Sequence, residues 1–338
     1  MNIPRVCNLH KARLCSFAPV RIAVADIGTN STRLLVADIA PDGQLSQLER
    51  HTQVTHLGEG LDRSGRLAPE AMERVYAALA HYREIADAAG AERRVAVATS
   101  AVREAENGAE LAAHVRKLLG FDIRTISGDE EARLTFLGAT AARTASSHDS
   151  STETLVIDIG GGSTEFVTGH PGQDPTFHVS TRLGSVRQTE RHLHSDPPRH
   201  EEMEALADEA RQIVAGAVPE SERADVASGI AVAGTSTSLA AIDQELDPYD
   251  PERVHGYRLD LAACERILAM LALLPLEERR KVTGLHPERA PTIVAGAAIL
   301  VEAMRLFGLG EIELSESDIL DGAALDAATG YSGTISGA

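Results

Sequence analysis

The sequence predicts an α/β protein of two domains, and three observations support this prediction. Strand-like apolar runs alternate with amphipathic helical segments along most of the chain, which is typical of α/β domains. One phrase of eight residues occurs twice, which indicates a duplicated unit. The 338 residues, 43% of them hydrophobic, are enough to build two cores of ordinary size.

The repeated phrase carries the main functional signal. Asp26–Arg33 (DIGTNSTR) and Asp158–Glu165 (DIGGGSTE) share Asp, Ile, Gly, Ser and Thr at the same five positions. Each copy lies between two apolar runs, so both are predicted to be β-hairpins with polar tips. Tips rich in Gly, Ser and Thr can direct backbone amides and hydroxyls at one point, which suits a phosphate oxygen. Ordinary glycine-containing turns are the alternative, but they do not require an Asp at the end of the strand in both copies.

The remaining elements follow from periodicity and from capping residues. A helix is predicted over 68–89, with Pro69 in its opening turn and Gly90 after its end. Between this helix and the second hairpin we expect a buried strand at 95–98, a helix over about 108–119 and a short strand at 123–126. Beyond the second hairpin we expect a strand turning into a helix over 179–187, a helix over 200–217, a buried strand at 230–233, helices over 260–273 and 290–307, a strand at 311–314 and a final helix over 317–328.

Two adjacent glutamates at the start of one predicted helix have different expected roles. Ser127 and Glu130 fit a capping box, in which Ser127 accepts from the third amide of the helix and Glu130 reaches back. Glu131 has no such role and lies one turn before Leu134, on the side where the helix would meet another surface. A carboxylate there is costly unless a cleft, a metal or a water solvates it. An exposed Glu favoured by the helix dipole is the alternative.

A third segment of small residues, Gly234–Ala240, follows the predicted strand at 230–233. We predict a loop that opens a helix, with amides of Gly234 and Thr235 available to an anion. Simple N-capping of the helix is the alternative.

Composition excludes several classes of function. The formal net charge of −18 and an aromatic content of 3%, without Trp, argue against nucleic-acid binding. Three cysteines match neither a zinc spacing nor a disulfide framework, which favours a reducing compartment. No run approaches the length of a transmembrane span, and the first nineteen residues lack the features of a signal peptide. We therefore expect a cytoplasmic protein that binds neither nucleic acid nor membrane, with residues 1–20 as a disordered extension.

Four segments together resemble the exopolyphosphatase and guanosine pentaphosphate phosphohydrolase (Ppx/GppA) family: Asp26–Ser31, Ser127–Leu134, Asp158–Glu165 and Arg289–Ala297. They occur in the family's order, and the resemblance covers nearly all of 21–330. It implies two ribonuclease H-like domains of the actin, sugar-kinase and heat-shock ATPase superfold, with a cleft between them. The implied domains are 21–137 and 138–316, followed by a C-terminal helix and tail over 317–338 that would pack back on the first domain.

The resemblance also implies the site. A terminal phosphoryl group would be bound by Gly28, Thr29, Asn30 and Ser31 of one hairpin, by Gly160, Gly161, Gly162 and Ser163 of the other, and by Gly234 and Thr235. Glu131 would orient and deprotonate the attacking water. Arg103 would clamp the phosphate, with a plain surface Arg as the alternative. Asp26, Asp158 and Glu165 would hold Mg²⁺ or Mn²⁺. Because Arg33 stands where the second copy has Glu165, only the second hairpin should favour the metal.

Several functions are consistent with this site. The leading hypothesis is an exopolyphosphatase acting on short chains. Lys occurs only at positions 11, 117 and 281, so few lysines could line a channel for a long polyphosphate chain. Hydrolysis of guanosine pentaphosphate, which would link the protein to the stringent response, is the first alternative. An ATP-dependent small-molecule kinase and a non-catalytic nucleotide sensor are further alternatives, against which the Ser-Gly-x-Glu-Glu helix and the intact Glu131 argue. A nucleotide (ADP or ATP) in the cleft and a homodimer are left open.

Overall fold

The computed structural model describes residues 19–141 and 153–329. Residues 1–18 of the expected extension, most of the small-residue loop before the second hairpin and the tail beyond residue 329 lie outside the described ranges. No helix in the described ranges is both long and apolar enough to cross a membrane.

The first domain is built on a five-stranded mixed sheet in the order β3-β2-β1-β4-β5. Its strands are β1 (Val20–Ile27), β2 (Ser31–Ile39), β3 (Leu45–Val54), β4 (Arg93–Ala98) and β5 (Asp122–Thr125). Its helices are α1 (Leu61–Ser64), α2 (Pro69–Ala88), α3 (Ser100–Glu104) and α4 (Gly108–His114), the last continued by a π-helical turn at Val115–Leu119, and α5 (Gly128–Thr140) leads to the second domain. Strands β1 to β3 form an antiparallel meander, and β4 and β5 run parallel to β1.

The second domain repeats this topology. Its six strands are β6 (Thr154–Ile159), β7 (Thr164–Gly169), β8 (Phe177–Thr181), β9 (Ser228–Val232), β10 (Arg258–Asp260) and β11 (Glu311–Leu314). Its helices are α6 (Ser185–His192), α7 (His200–Ala217), α8 (Glu220–Ala224), α9 (Ala233–Asp243), α10 (Pro251–Val254), α11 (Leu261–Leu273), α12 (Leu276–Arg279) and α13 (Ile293–Leu306), with a 3-10 turn at Pro287–Arg289. The last helix, α14 (Ile319–Thr329), follows β11 and returns to the first domain. The order β8-β7-β6-β9-β11 matches β3-β2-β1-β4-β5, and β10 is added at the edge. The expected fold class, two ribonuclease H-like domains with a cleft between them, is confirmed.

Several short elements were not predicted, among them β10, α1, α3, α8, α10 and α12, and two further differences concern β3 and α9. The strand β3 was not predicted, because most of its side chains are exposed and polar; it lies at the edge of the sheet and pairs only with β2, so it needs no apolar alternation. The predicted loop at Gly234–Ala240 is wrong, because α9 begins at Ala233 directly after β9. Ala233 itself makes the turn, with a φ of 63°.

Helices α5 and α14 lie between the two sheets and connect the domains. Helix α5 spans the expected boundary between residues 137 and 138, and its Phe136 packs on β6 and β7 of the second domain. Helix α14 packs Leu320 and its neighbours against β1 and β2 of the first domain. The two helices cross where Gly138 faces Gly322, and a Cβ on either glycine would overlap the backbone of the other helix. Helix α14 is thereby held against the first domain.

Candidate active site

Two loops of the same construction end the hairpins of the two domains. The first loop (Gly28–Ser31) joins β1 to β2, and the second loop (Gly160–Ser163) joins β6 to β7. In each of them the amide of the first glycine donates to the carbonyl of the last serine at 3.0 Å. The internal repeat in the sequence is therefore a repeat of backbone geometry.

The loops touch each other across the cleft, and glycine permits this approach. A Cβ on Gly161 would lie 3.1 Å from Asn30 Cβ. A Cβ on Gly162 would lie 2.7 Å from both Thr29 Oγ1 and Ser100 Oγ. Any larger residue at Gly162 would push the two domains apart.

A cavity of about 90 Å³ lies between the loops. Roughly 10 to 15 Å³ is enough for one water, so the cavity has room for a phosphoryl group and a water but not for a nucleotide. Most of the residues expected at the site line it: Asp26, Gly28, Thr29, Asn30, Ser31, Glu131, Asp158, Gly160, Gly161, Ser163, Glu165, Gly234 and Thr235. Gly162 and Arg103 do not line it.

Glu131 lies in the first turn of α5, which is capped as expected. Ser127 Oγ accepts a hydrogen bond from the Glu130 amide at 3.1 Å. The Glu130 carboxylate instead pairs with Arg124 Nη1 at 2.8 Å, so in the described ranges it does not form the return hydrogen bond of a capping box. Glu131 is only 6% exposed, so the alternative of an exposed first-turn Glu is wrong. Burial raises the pKa of Glu131 to about 7, against the opposing effect of Arg103. A carboxylate that titrates near neutral pH is suited to accept a proton from water.

Arg103 lies behind Glu131, away from the cavity. Its Nη1 donates to Glu131 Oε2 at 2.9 Å and to the carbonyl of Ile126 at 2.8 Å. Arg289, in contrast, lines the cavity, and its guanidinium lies against Gly234. Within the described ranges Arg289 forms no ion pair with a carboxylate, so its charge is available to an anion. The sequence signal for Arg289 is its position in the family-like segment Arg289–Ala297.

Three further carboxylates line the cavity. Asp26 Oδ2 accepts from Arg33 Nε at 2.9 Å and from Arg33 Nη2 at 2.6 Å, while Asp26 Oδ1 is buried without a partner. Asp158 Oδ2 is 3.5 Å from Thr135 Oγ1. Burial is the main cause that raises the pKa of Asp26 and of Glu165, and it raises the pKa of Asp158 to about 7. These groups would ionise more readily beside a cation.

An ionic network that sequence reasoning missed supports Asp26. Arg33 pairs with both Asp26 and Asp318, and Arg50 continues the network to Asp321 at 2.5 Å. Strands β2 and β3 supply the arginines, and Asp318 and Asp321 lie at the start of α14. Nothing in the sequence links these residues, because they are brought together only by the return of α14 to the first domain.

The carboxylates fit a divalent cation that the substrate helps to bind. Within 19–141 and 153–329, no three His, Cys, Asp or Glu side chains form a ready-made metal centre. Mg²⁺ commonly takes only one or two carboxylates and completes its shell with water and substrate phosphates. The donors here are carboxylate oxygens, and Asp26 Oδ1 has no hydrogen-bond partner among the residues that the structure describes. The residues therefore fit Mg²⁺ or Mn²⁺ with phosphate present rather than a closed protein cage.

A second, larger cavity of about 680 Å³ adjoins the first. Arg33, Gly234 and Arg289 line both cavities. The larger one is also lined by the ring of Tyr249 and by apolar side chains such as Leu285. Its volume lies within the range of small-molecule sites, roughly 300 to 1,000 Å³.

The pH dependence of turnover should report Glu131. Because Arg103 lowers the pKa of Glu131 while burial raises it, Arg103→Gln should move that pKa further up. We expect the acid limb of kcat, close to pH 7 in the unmodified protein, to move up by roughly one to two pH units in Arg103→Gln. The measurement is kcat from pH 5 to 9 at saturating substrate. The exposed Arg66→Gln is the control, and an acid limb that stays in place would contradict the assignment.

The chain is similar in sequence and structure to proteins of one known family. A family model described as the Ppx/GppA phosphatase family matches residues 35–329. "Exopolyphosphatase 2" of Mycobacterium tuberculosis is 36% identical over 327 residues, which cover 92% of this chain and 99% of that protein. The crystal structure of a Ppx/GppA family member from Aquifex aeolicus matches with a TM-score of 0.76 at 29% identity, covering 93% of this chain and 99% of the other. An exopolyphosphatase from Cytophaga hutchinsonii matches with a TM-score of 0.81 at 27% identity, covering 92% and 98% of the two chains.

Proposed function

The chain belongs to the Ppx/GppA phosphatase family, and we propose that it is an exopolyphosphatase that removes the terminal phosphate of inorganic polyphosphate. One observation carries this proposal: Glu131, whose pKa is raised to about 7, opens onto the same cavity as the two glycine-rich loops. The similarity to proteins named exopolyphosphatase supports the choice of substrate.

Different residues bind the terminal phosphoryl group and activate the attacking water. The amides and hydroxyls of the two loops bind the oxygens of the terminal phosphoryl group, and Arg289 adds a positive charge. Glu131 holds a water and takes one of its protons as the water oxygen bonds to phosphorus. The bond from that phosphorus to the bridging oxygen breaks, and its electron pair leaves with the shortened chain. The products are orthophosphate and a polyphosphate one unit shorter. Positioning and charge stabilisation supply most of the rate in such reactions.

Asp158 and Glu165, together with Asp26 Oδ1, would hold a divalent cation. When bound, Mg²⁺ or Mn²⁺ would neutralise charge on the phosphates. Glu165 Oε1 accepts a hydrogen bond from Ser180 at 2.7 Å, which orients the carboxylate.

The metal requirement is expected to depend on Glu165. Glu165→Gln should raise the Mg²⁺ concentration needed for half-maximal activity by about tenfold or more, because an amide is a weaker ligand for a hard cation. The exposed strand residue Glu49 provides a matched control, since Glu49→Gln also removes one negative charge from a sheet. The measurement is a Mg²⁺ titration of phosphate release for both variants. Coincident titration curves would remove Glu165 from the metal site.

A second candidate substrate is guanosine pentaphosphate, and one observation favours it. The 680 Å³ cavity adjoins the phosphate site through Arg289 and has the volume and the aromatic lining to accept a nucleoside. Such an activity would connect the protein to the stringent response, and the same cavity would accept ADP or ATP. A kinase or a sensor is less well supported, because Glu131 is placed to activate water.

A cytoplasmic location is part of the proposal. Cys264 is free and buried, as expected in a reducing compartment. Assembly as a homodimer stays a prediction, which sedimentation of the purified protein would test.

Phosphate release from polyphosphates of graded length, with and without Mg²⁺ and Mn²⁺, tests the proposed function beside guanosine pentaphosphate as a parallel substrate. We expect metal-dependent release that is most efficient, in kcat/KM, for short polyphosphates. Release from guanosine pentaphosphate alone would establish the second candidate. Release from neither substrate with either metal would overturn both.

A further inference from the structure

We propose that Arg187 is a positioning residue which, with Asp62 and Glu104, ties the second loop to the first domain and so sets the separation of the two loops. We call Arg187, Asp62 and Glu104 the clasp. The expected effect of the clasp on catalysis rests on the proposed function, but its effect on the position of the two loops does not.

The second loop and helix α6 form one rigid unit. The amides of Ser185 and Val186, in the first turn of α6, donate to the carbonyls of Gly160 and Gly161, each at 2.9 Å. A Cβ on Gly184 would overlap the carbonyl of Gly161, so the chain just before α6 also lies directly on the loop. Any group that holds α6 therefore holds the second loop.

Arg187 joins this unit to the first domain. Its Nε donates to the carbonyl of Gly162 at 2.9 Å, its Nη1 pairs with Asp62 of α1, and its Nη2 lies 3.2 Å from Glu104 Oε2 of α3. Arg187 is 6% exposed, whereas the side chains of Asp62 and Glu104 are 28% and 26% exposed, so these contacts are partly shielded from solvent. Arg182 adds an exposed layer with contacts to the same two carboxylates at 3.2 and 2.9 Å.

The two loops attract each other weakly, so a separate contact that holds the domains together has a purpose. The contact between the loops consists of glycines against small side chains and offers little attraction. Arg187 and Asp62 lie outside the cavity, on the other side of the second loop. The clasp thus supplies attraction between the domains without occupying the phosphate site.

The test is hydrogen–deuterium exchange of the protein without substrate, in peptides that cover 26–31 and 159–165. The double variant Asp62→Asn/Glu104→Gln removes the two carboxylates with which the first domain contacts Arg187. It keeps the hydrogen bond from Arg187 to the Gly162 carbonyl. We expect exchange in both loops to accelerate by about tenfold or more, since a lost tertiary contact favours local opening. The control is Glu106→Gln, which breaks an exposed pair with Arg66 inside the first domain, 3.2 Å long, and should leave both loops unchanged.

Kinetics supply a second readout. Bound substrate would close the cleft in the double variant, so KM should rise by roughly tenfold while kcat stays within about threefold of the unmodified enzyme. Arg187→Gln should accelerate loop exchange at least as much as the double variant. Adding Asp62→Asn and Glu104→Gln to Arg187→Gln should then change little, because all three act through one contact.

Unchanged exchange of both loops in a folded double variant would overturn the clasp, as would additive effects in the triple variant. Exchange is measured without substrate, so it decides the role of Arg187 even if polyphosphate proves not to be the substrate. Failure of the proposed function would appear instead as an absence of turnover in the unmodified protein.

Discussion

Replacing Glu131 by Gln is expected to lower kcat by roughly 10² to 10⁴ while KM and the fold stay nearly unchanged. The amide keeps the size of the side chain and accepts from Arg103, but it cannot take a proton from water. Phosphate release at saturating substrate measures the effect. Near-normal turnover of Glu131→Gln would overturn the mechanism.

Glu130→Gln is the matched control, because it removes the same charge from the same helical turn. Glu130 points to Arg124 at the surface rather than into the cavity, so this variant should keep most of its activity. An inactive Glu130→Gln variant would contradict the assignment of Glu131 as the base, and so would an active Glu131→Gln variant. Ser127→Ala should cost about 1 kcal/mol of stability through loss of the cap and little activity.

Thermal unfolding separates the loss of a base from the loss of the fold. The pKa of Glu131 is raised on folding from 4.5 to about 7, so the folded state binds the proton more tightly than the unfolded state. Stability contributed by this group is therefore lost as the pH rises through that interval. Glu131→Gln should be at least as stable as the unmodified protein at pH 8, with no such gain at pH 5. A lower melting temperature at pH 8 would show that the carboxylate has a structural role.

Replacing Arg289 by Gln is expected to lower kcat/KM by roughly 10² to 10³, the effect of removing one partner of a buried charged contact. Arg289 lines the cavity and forms no ion pair with a carboxylate in the described ranges, so its charge is available to the substrate. Most of the loss should appear in KM for polyphosphate. The exposed Arg280→Gln, at the rim of the larger cavity, provides the control for a change in charge alone.

Gly234→Val tests the same contact from the other side. A Cβ at Gly234 would overlap the guanidinium of Arg289, which is the movable end of a long side chain. The protein should therefore fold, with Arg289 displaced and KM raised about as much as in Arg289→Gln. Combining the two changes should add little. Gly216→Val in α7, where nothing lies within 4 Å of the added Cβ, controls for valine in a helix. An unchanged KM in folded Gly234→Val would separate Gly234 from substrate binding.

The sequence alone determined the features that depend on near neighbours along the chain. The two hairpins with their glycine-rich tips and the Ser127 cap follow from alternation and local hydrogen bonding, which a linear pattern records. The strand at Glu311–Leu314 was predicted with its exact bounds. The duplicated phrase also predicted two copies of one domain, whereas the ribonuclease H-like fold class was implied by the resemblance to the Ppx/GppA family.

Tertiary structure alone decided which of the arginines face the cavity. Arg103 and Arg289 are both arginines in family-like segments, but packing places one behind Glu131 and the other against Gly234. The pairing of Arg33 with Asp318 depends on the return of α14 across the cleft, which no local pattern encodes. The pKa of Glu131 likewise rises because helix and sheet packing remove water from its carboxylate. Desolvation and charge pairing depend on distances in space between residues far apart in the chain, and only the folded arrangement sets those distances.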